Sequence, residues 1–202
     1  MAVFRLFPSQ DTFITDLVPA FPVVPVTGSN FGRSEVLELF KKLGVSGALG
    51  WAGSSSLGHV LVQFDLSPYQ SLSASLQAPM QPDWWLSLKD SRHPWTLPSS
   101  YDVEVMALSR SWDEGSGLDT LGYVDQGQAN WVQAQSNIYW TSPGGDFLTG
   151  TIVPFHFDHG TEDLTLAVGS LVQHWLSGVI PNNGFAVRIS SSQEADGLDY
   201  YV

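Results

Sequence analysis

The sequence predicts an all-β fold: an antiparallel β-sandwich of jelly-roll type with one short helix. Three observations predict it. The 202 residues include 19 glycines, 12 prolines and 8 tryptophans, a composition of turns and short strands rather than helices. Apolar and polar residues alternate over many short runs, the period of half-buried strands. One stretch alone changes to a helical period. Roughly nine or ten strands with turn signals between them follow from this pattern.

Residues 2–7 read as an opening strand stopped by Pro8, with a second short apolar piece at 12–14. Residues 17–34 carry Pro19, Pro22 and Pro25 and read as a long irregular connection. Glu35 to Phe40 reads as a strand, and the adjacent Lys41 and Lys42 as its solvated edge. Residues 44–58 are rich in Gly and Ser, a flexible loop by composition. From His59 to Leu66 the alternation is cleanest: Val60, Val62, Phe64 and Leu66 point one way, His59, Leu61, Gln63 and Asp65 the other. Weaker strands are expected at 73–76 and 84–88. Asp102 to Ser109 turns Val103, Val105 and Ala107 inward. Residues 112–137, rich in Gly, Asp and Gln, read as a surface excursion, and 151–154 as a short strand.

The period changes after Val168. Leu164, Leu166 and Val168 alternate as a strand; Leu171, Val172, Trp175 and Leu176 then share one helix face. Ser170 and Gln173 have capping-box spacing, and Gly178 is placed to end the helix. The helix is too short to be stable alone, so Trp175 is expected to plug it onto the sheets. Phe185, Val187 and Ile189 resume the strand period, and 198–202 begin another strand. No internal repeat or linker appears, so residues 1–202 read as one domain with long loops at about 17–34, 44–58 and 112–137.

Charge narrows the function classes. The net charge is −12, with eight Lys plus Arg against twenty Asp plus Glu. Nucleic-acid backbones need clustered cations, so no nucleic-acid partner is expected. There is no cysteine, which removes disulfides and thiolate metal sites. No signal-peptide pattern or membrane-spanning apolar run is visible, so neither a secretory route nor a membrane partner is expected. Serine-elbow, phosphate-loop and dinucleotide motifs are also missing.

Several pieces in order resemble a known family. They are the run from Phe7-Pro8 through Asp11-Thr12-Phe13-Ile14; Asn30-Phe31-Gly32 followed by Glu35 to Leu39; and Val60 to Leu66. Ser111-Trp112-Asp113-Glu114-Gly115 follows, then Asn130-Trp131 and Trp140 with Gly144-Gly145-Asp146. The closing pieces are Leu164 to Val168, Trp175 and Asn183-Gly184-Phe185. Together they resemble the DNRLRE-type β-sandwich, a relative of carbohydrate-binding-module jelly rolls, in the form found in tailed-bacteriophage virion structural proteins. The resemblance covers most of the chain. It implies a non-catalytic virion component, in capsid decoration, tail or baseplate, that needs no cofactor. Its partners would be other virion proteins and copies of itself. It transfers no ligand residues. Similar phage proteins continue for a further strand or two, so either this sequence is truncated or the last strand comes from elsewhere, as a strand that a neighbouring subunit adds to the edge at 198–202. The alternative is a glycan-binding module on a virion or cell surface.

Candidate sites are few. His156, Asp158 and His159, with Asp163 nearby, could converge on a metal, although no regular zinc spacing is present. Asp113, Glu114, Asp119 and Asp125 lack the spacing of a calcium loop. Asp113 and Glu114 are adjacent and so poorly placed for glycosidase acid/base work. Aromatic and apolar residues in the irregular segments are the interface candidates: Phe21, Val24, Phe31, Trp51, Trp84, Trp131, Tyr200 and Tyr201. Of the neighbours Trp84 and Trp85, a strand turns one inward and one outward, and the outward one is the exposed aromatic.

Overall fold

The computed structural model describes residues 3–16, 27–43, 55–75, 82–91, 99–118 and 128–201. In chain order the elements are β1 (Pro8–Thr15), β2 (Phe40–Leu43), β3 (Ser55–Phe64), α1 (Ser67–Ser75), β4 (Trp85–Leu88) and β5 (Tyr101–Leu108). Then come β6 (Gln133–Gln135), β7 (Ile138–Tyr139), β8 (Phe147–Phe157), β9 (Leu164–Ala167), α2 (Gly169–Leu176), β10 (Phe185–Ile189), α3 (Ser191–Glu194) and β11 (Tyr200–Tyr201). A seven-stranded sheet runs β11-β2-β3-β10-β5-β8, with β1 also on β3. β4–β9 and β6–β7 form two small sheets. The pairings among these strands are all antiparallel, as expected for an all-β sandwich. They do not establish a jelly-roll winding.

Gly58 pairs with both Thr15 of β1 and Phe40 of β2, so these strands flank β3 on opposite edges. β10 pairs with Val60 to Val62, which also pair with β1. β2 and β10 therefore share one edge of β3, in succession. The Gly at 58 is needed: a Cβ there would meet the Phe40 ring at 2.6 Å.

The central strands of the large sheet are covered on both faces. On the first, Val60, Val62, Val103, Val105, Phe185 and Val187 pack against Leu86 and Leu164 of the β4–β9 sheet. Leu171, Val172 and Trp175 of α2 complete that core, and Trp175 meets Phe185 edge-on at 4.6 Å. Each such fully buried aliphatic or aromatic side chain stabilises by roughly 1.5–3 kcal/mol. On the second face, Ile14, Leu61, Met106, Leu108 and Ala186 lie under Trp112, Ala129, Trp131, Ala134 and Trp140. The described parts of 112–137, expected on the surface, are thus the cover of a second core. Asn30 fixes that cover: its amide donates to the Glu114 and Ala129 carbonyls and its Oδ1 accepts from the Gly32 and Gly117 amides.

Other expectations are corrected. The opening strand begins at Pro8, and 3–7 is irregular with Val3, Phe4 and Phe7 exposed. Residues 35–39 are not strand; β2 starts at Phe40, where pairing with Gly58 becomes available. Ser55 to Gly58, expected in a loop, open β3. The weak strand expected at 73–76 overlaps α1, which Asp65 starts by accepting the Ser67 amide and hydroxyl. Pro68 in the first turn suits that start, because its fixed φ is helical and its missing N–H is not needed there. The short strand at 151–154 is part of the eleven-residue β8.

The capping box at Ser170 does not form. Val168 is the N-cap, so Ser170 lies inside the first turn. The other end is as expected: Gly178 has φ +73°, its N–H donates to the Trp175 carbonyl, and Val179 N–H reaches His174 O. That is the Schellman pattern. Among the described residues no helix is long and apolar enough to cross a membrane.

Candidate functional site

β3, β5 and β10 direct alternate residues to the second face of the large sheet. One end of that face is apolar. At the other end the same strands supply His59, Glu104 and Arg188. A cleft of about 520 Å³ opens at the boundary, walled by Trp131, Phe147, Asp146, Arg188 and Glu194.

His59 is buried. Its Nδ1 lies 2.7 Å from the Gly144 carbonyl and its Nε2 2.9 Å from Glu194 Oε1. A carbonyl can only accept, so the Nδ1 proton is directed to Gly144. The ring's Nε2 faces the Glu194 carboxylate. Both ring nitrogens are therefore committed. Trp131 flanks the ring at 4.9 Å and Phe147 at 5.7 Å.

Arg188 stands directly across the ladder from Glu104. Its Nε and Nη2 both donate to Glu104 Oε2, at 3.0 and 2.8 Å. Its Nη1 stops 3.7 Å from Glu194 Oε2, and its guanidinium carbon lies 5.3 Å from the centre of the Phe147 ring. Asp146 closes the rim. Its Oδ1 accepts the Thr141 and Ser142 amides, and its Oδ2 accepts the Thr141 hydroxyl and Arg110 Nε. Gly144 and Gly145 have φ of +94° and +116°, and a Cβ on either would press into Trp131 or Phe147. Asp16 accepts the Leu57 amide nearby. Burial raises its carboxyl above the ordinary range, against the lowering effect of that amide and of His59.

The C-terminal segment covers the polar end of this face. Lys41, expected at a solvated edge, is wholly buried. Its ammonium donates to the Gln193 carbonyl and to the Asp196 carbonyl and carboxylate, which uses its three protons. Gln193 Oε1 accepts the Asp102 amide. Tyr200 donates its hydroxyl to Asp196 Oδ2. Burial and that carboxylate push the Tyr200 phenol up to about 12.

Both ring nitrogens of His59 are engaged. Glu104 and Asp146 are tied to arginines, and the Ser109 hydroxyl donates to the Asp146 carbonyl.

The metal candidates suggested by the sequence do not converge. His156 is exposed; its Nδ1 lies 2.7 Å from Asp102 and its Nε2 3.6 Å from Asp158. His159 instead donates its amide to Glu162. Among the described residues no group of three or more His, Cys, Asp or Glu could hold a metal. Glu114 takes the Asp11 amide, covering the outer edge of β1; Asp119 and Asp125 lie outside the described residues.

Of the interface candidates, burial places three in the chain's own cores. Phe31 stacks on Phe13 at 4.1 Å, Trp131 lies in the second core, and Tyr200 in the first. Trp84 is half-buried against Tyr69 at 4.7 Å. Phe21, Val24, Trp51 and the Tyr201 side chain lie outside the described residues. Trp85 is the outward-facing aromatic, 61% exposed.

Sequence reasoning misses Glu104, Arg188, Glu194 and the role of His59. The available signal is the Gly144-Gly145-Asp146 triplet close to two tryptophans. Comparison with protein-family models and with curated proteins gave no match for this chain.

Proposed function

We propose that this chain is a non-catalytic structural module that works by contact, as a virion component of a tailed bacteriophage. The observation that carries the contact reading is Trp85. Its indole stands outside both cores on the β4–β9 sheet, opposite Ala167, on backbone fixed by four paired residues in each strand. Exposed indoles on rigid backbone are what protein interfaces use as anchors. Tyr139 and Ile138 of β7 are exposed as well. The phage assignment rests on the motif resemblance. A stable contact would bury at least ~1,000 Å² in total.

The test is mass photometry of the purified chain, paired with its retention on tailed-phage particles lacking it. The expected result is a defined oligomer or saturable particle binding, weakened at least tenfold by Trp85→Ser with the circular-dichroism spectrum unchanged. A monomer that particles do not retain would overturn the reading. So would assembly indifferent to Trp85→Ser and Tyr139→Ser together.

A further inference from the structure

We infer that the cleft between His59, Trp131 and Phe147 is a binding site for a neutral polyhydroxylated ligand, of the size and chemistry of a monosaccharide. Such a site is independent of where the protein assembles. The volume of about 520 Å³ falls in the range of small-ligand sites. The arginines are matched with carboxylates, Arg188 with Glu104 and Arg110 with Asp146, and Glu194 lies against His59. A charged ligand would have to break one of these pairs, whereas a neutral one leaves them intact.

The open valences are both donors and acceptors. Arg188 Nη1 and Glu194 Oε2 lie side by side 3.7 Å apart, beyond hydrogen-bond reach of each other. A vicinal diol can answer that pair: one hydroxyl accepts from the guanidinium and its neighbour donates to the carboxylate. The exposed rim adds the hydroxyls of Thr141, Ser142 and Thr149. Thr141 already donates to Asp146, so its oxygen is left to accept. Trp131, Phe147 and Leu57 supply apolar wall for the C–H side of such a ring. The wall is preformed, because the positive-φ glycines at 144 and 145 let the rim close onto Trp131 and Phe147.

The experiment is saturation-transfer NMR and tryptophan fluorescence titration of the intact chain with glucose, galactose, mannose, N-acetylglucosamine and myo-inositol, with glucuronate as the charged comparison. Two variants accompany it. Ser142→Ala/Thr149→Val removes exposed rim hydroxyls, and Trp85→Ala alters only the distant exposed indole. The expected result is saturable millimolar binding of at least one neutral sugar or inositol. It should weaken tenfold or more in the rim variant and stay unchanged in Trp85→Ala. The inference is overturned by no saturable binding of any probe, by binding that survives the rim variant, or by a preference for glucuronate. Loss of binding in Trp85→Ala would move the ligand to the β4–β9 sheet and overturn it too. Particle retention can fail while sugar binding succeeds, so the assembly reading and this one are separable.

Discussion

On one face of the seven-stranded sheet, Val60 and Val62, Val103 and Val105, Phe185 and Val187 meet a continuous apolar cover. On the other face the same strands carry Leu61, Met106 and Ala186 at one end and His59, Glu104 and Arg188 at the other. The first face is held by non-directional burial, which tolerates repacking. The polar end of the second is held by hydrogen bonds and ion pairs that accept one geometry only. Stability is therefore expected to come chiefly from the first face, and a shaped, directional surface from the second.

Trp175→Ala should produce the largest loss. It opens a cavity between α2 and Phe185 and should cost about 3–5 kcal/mol by urea unfolding. If the faces are independent, sugar binding at the cleft should not change in the folded fraction. Glu104→Leu should come next, at roughly 3 kcal/mol, because it leaves the largely buried Arg188 without its partner. The double variant Glu104→Leu/Arg188→Met should recover to within about 1 kcal/mol of the parent, since well-packed apolar residues replace a buried pair at little net cost. A double variant as unstable as the single one would mean that the polar end contributes stability after all.

The smallest effects are in pH. Hydrogen bonds from Lys41 and Tyr200 hold the Asp196 carboxyl down at about 2, against an ordinary 3.8. A depressed carboxylate stabilises above its unfolded value, so its contribution is lost as pH falls from about 3.8 through about 2. The Asp102 hydrogen bond raises His156 above its ordinary value of 6.5. A raised imidazole stabilises fully below its unfolded value, so its contribution fades as pH rises above 6.5. Urea midpoints measured across pH should show Asp196→Asn flattening the acid limb and His156→Gln removing the slope above 6.5. Parallel curves for parent and variants would contradict both assignments.

The first face is legible in the sequence because it follows the period-2 alternation of β3, β5 and β10. The α2 stop at Gly178 is legible for a similar local reason. The polar end is not. His59 and Glu194 are 135 residues apart, and no local pattern pairs them. Lys41 has the same difficulty, since its acceptors arrive with α3 and the turn after it. The described parts of 112–137 mislead for another reason. The Gly, Asp and Gln content of 112–137 reads as surface, yet Asn130 ties the segment down: its backbone carbonyl takes the Trp140 indole N–H and its side chain the Val132 and Gln133 amides. Glycine there allows close approach rather than mobility.

Asn30 has a consequence for engineering. Loops ordinarily accept inserted sequence one at a time. Here a single carboxamide grips the backbones around residues 30–32, 114–117 and 129. A Cβ at Gly32 would strike the Glu114 carbonyl oxygen, and one at Gly117 that of Asn30. Lengthening any one of these segments would pull on all three. A peptide tag grafted onto this chain belongs instead at the exposed tip of the β6–β7 hairpin, between Ser136 and Asn137, where the turn is closed by its own two strands.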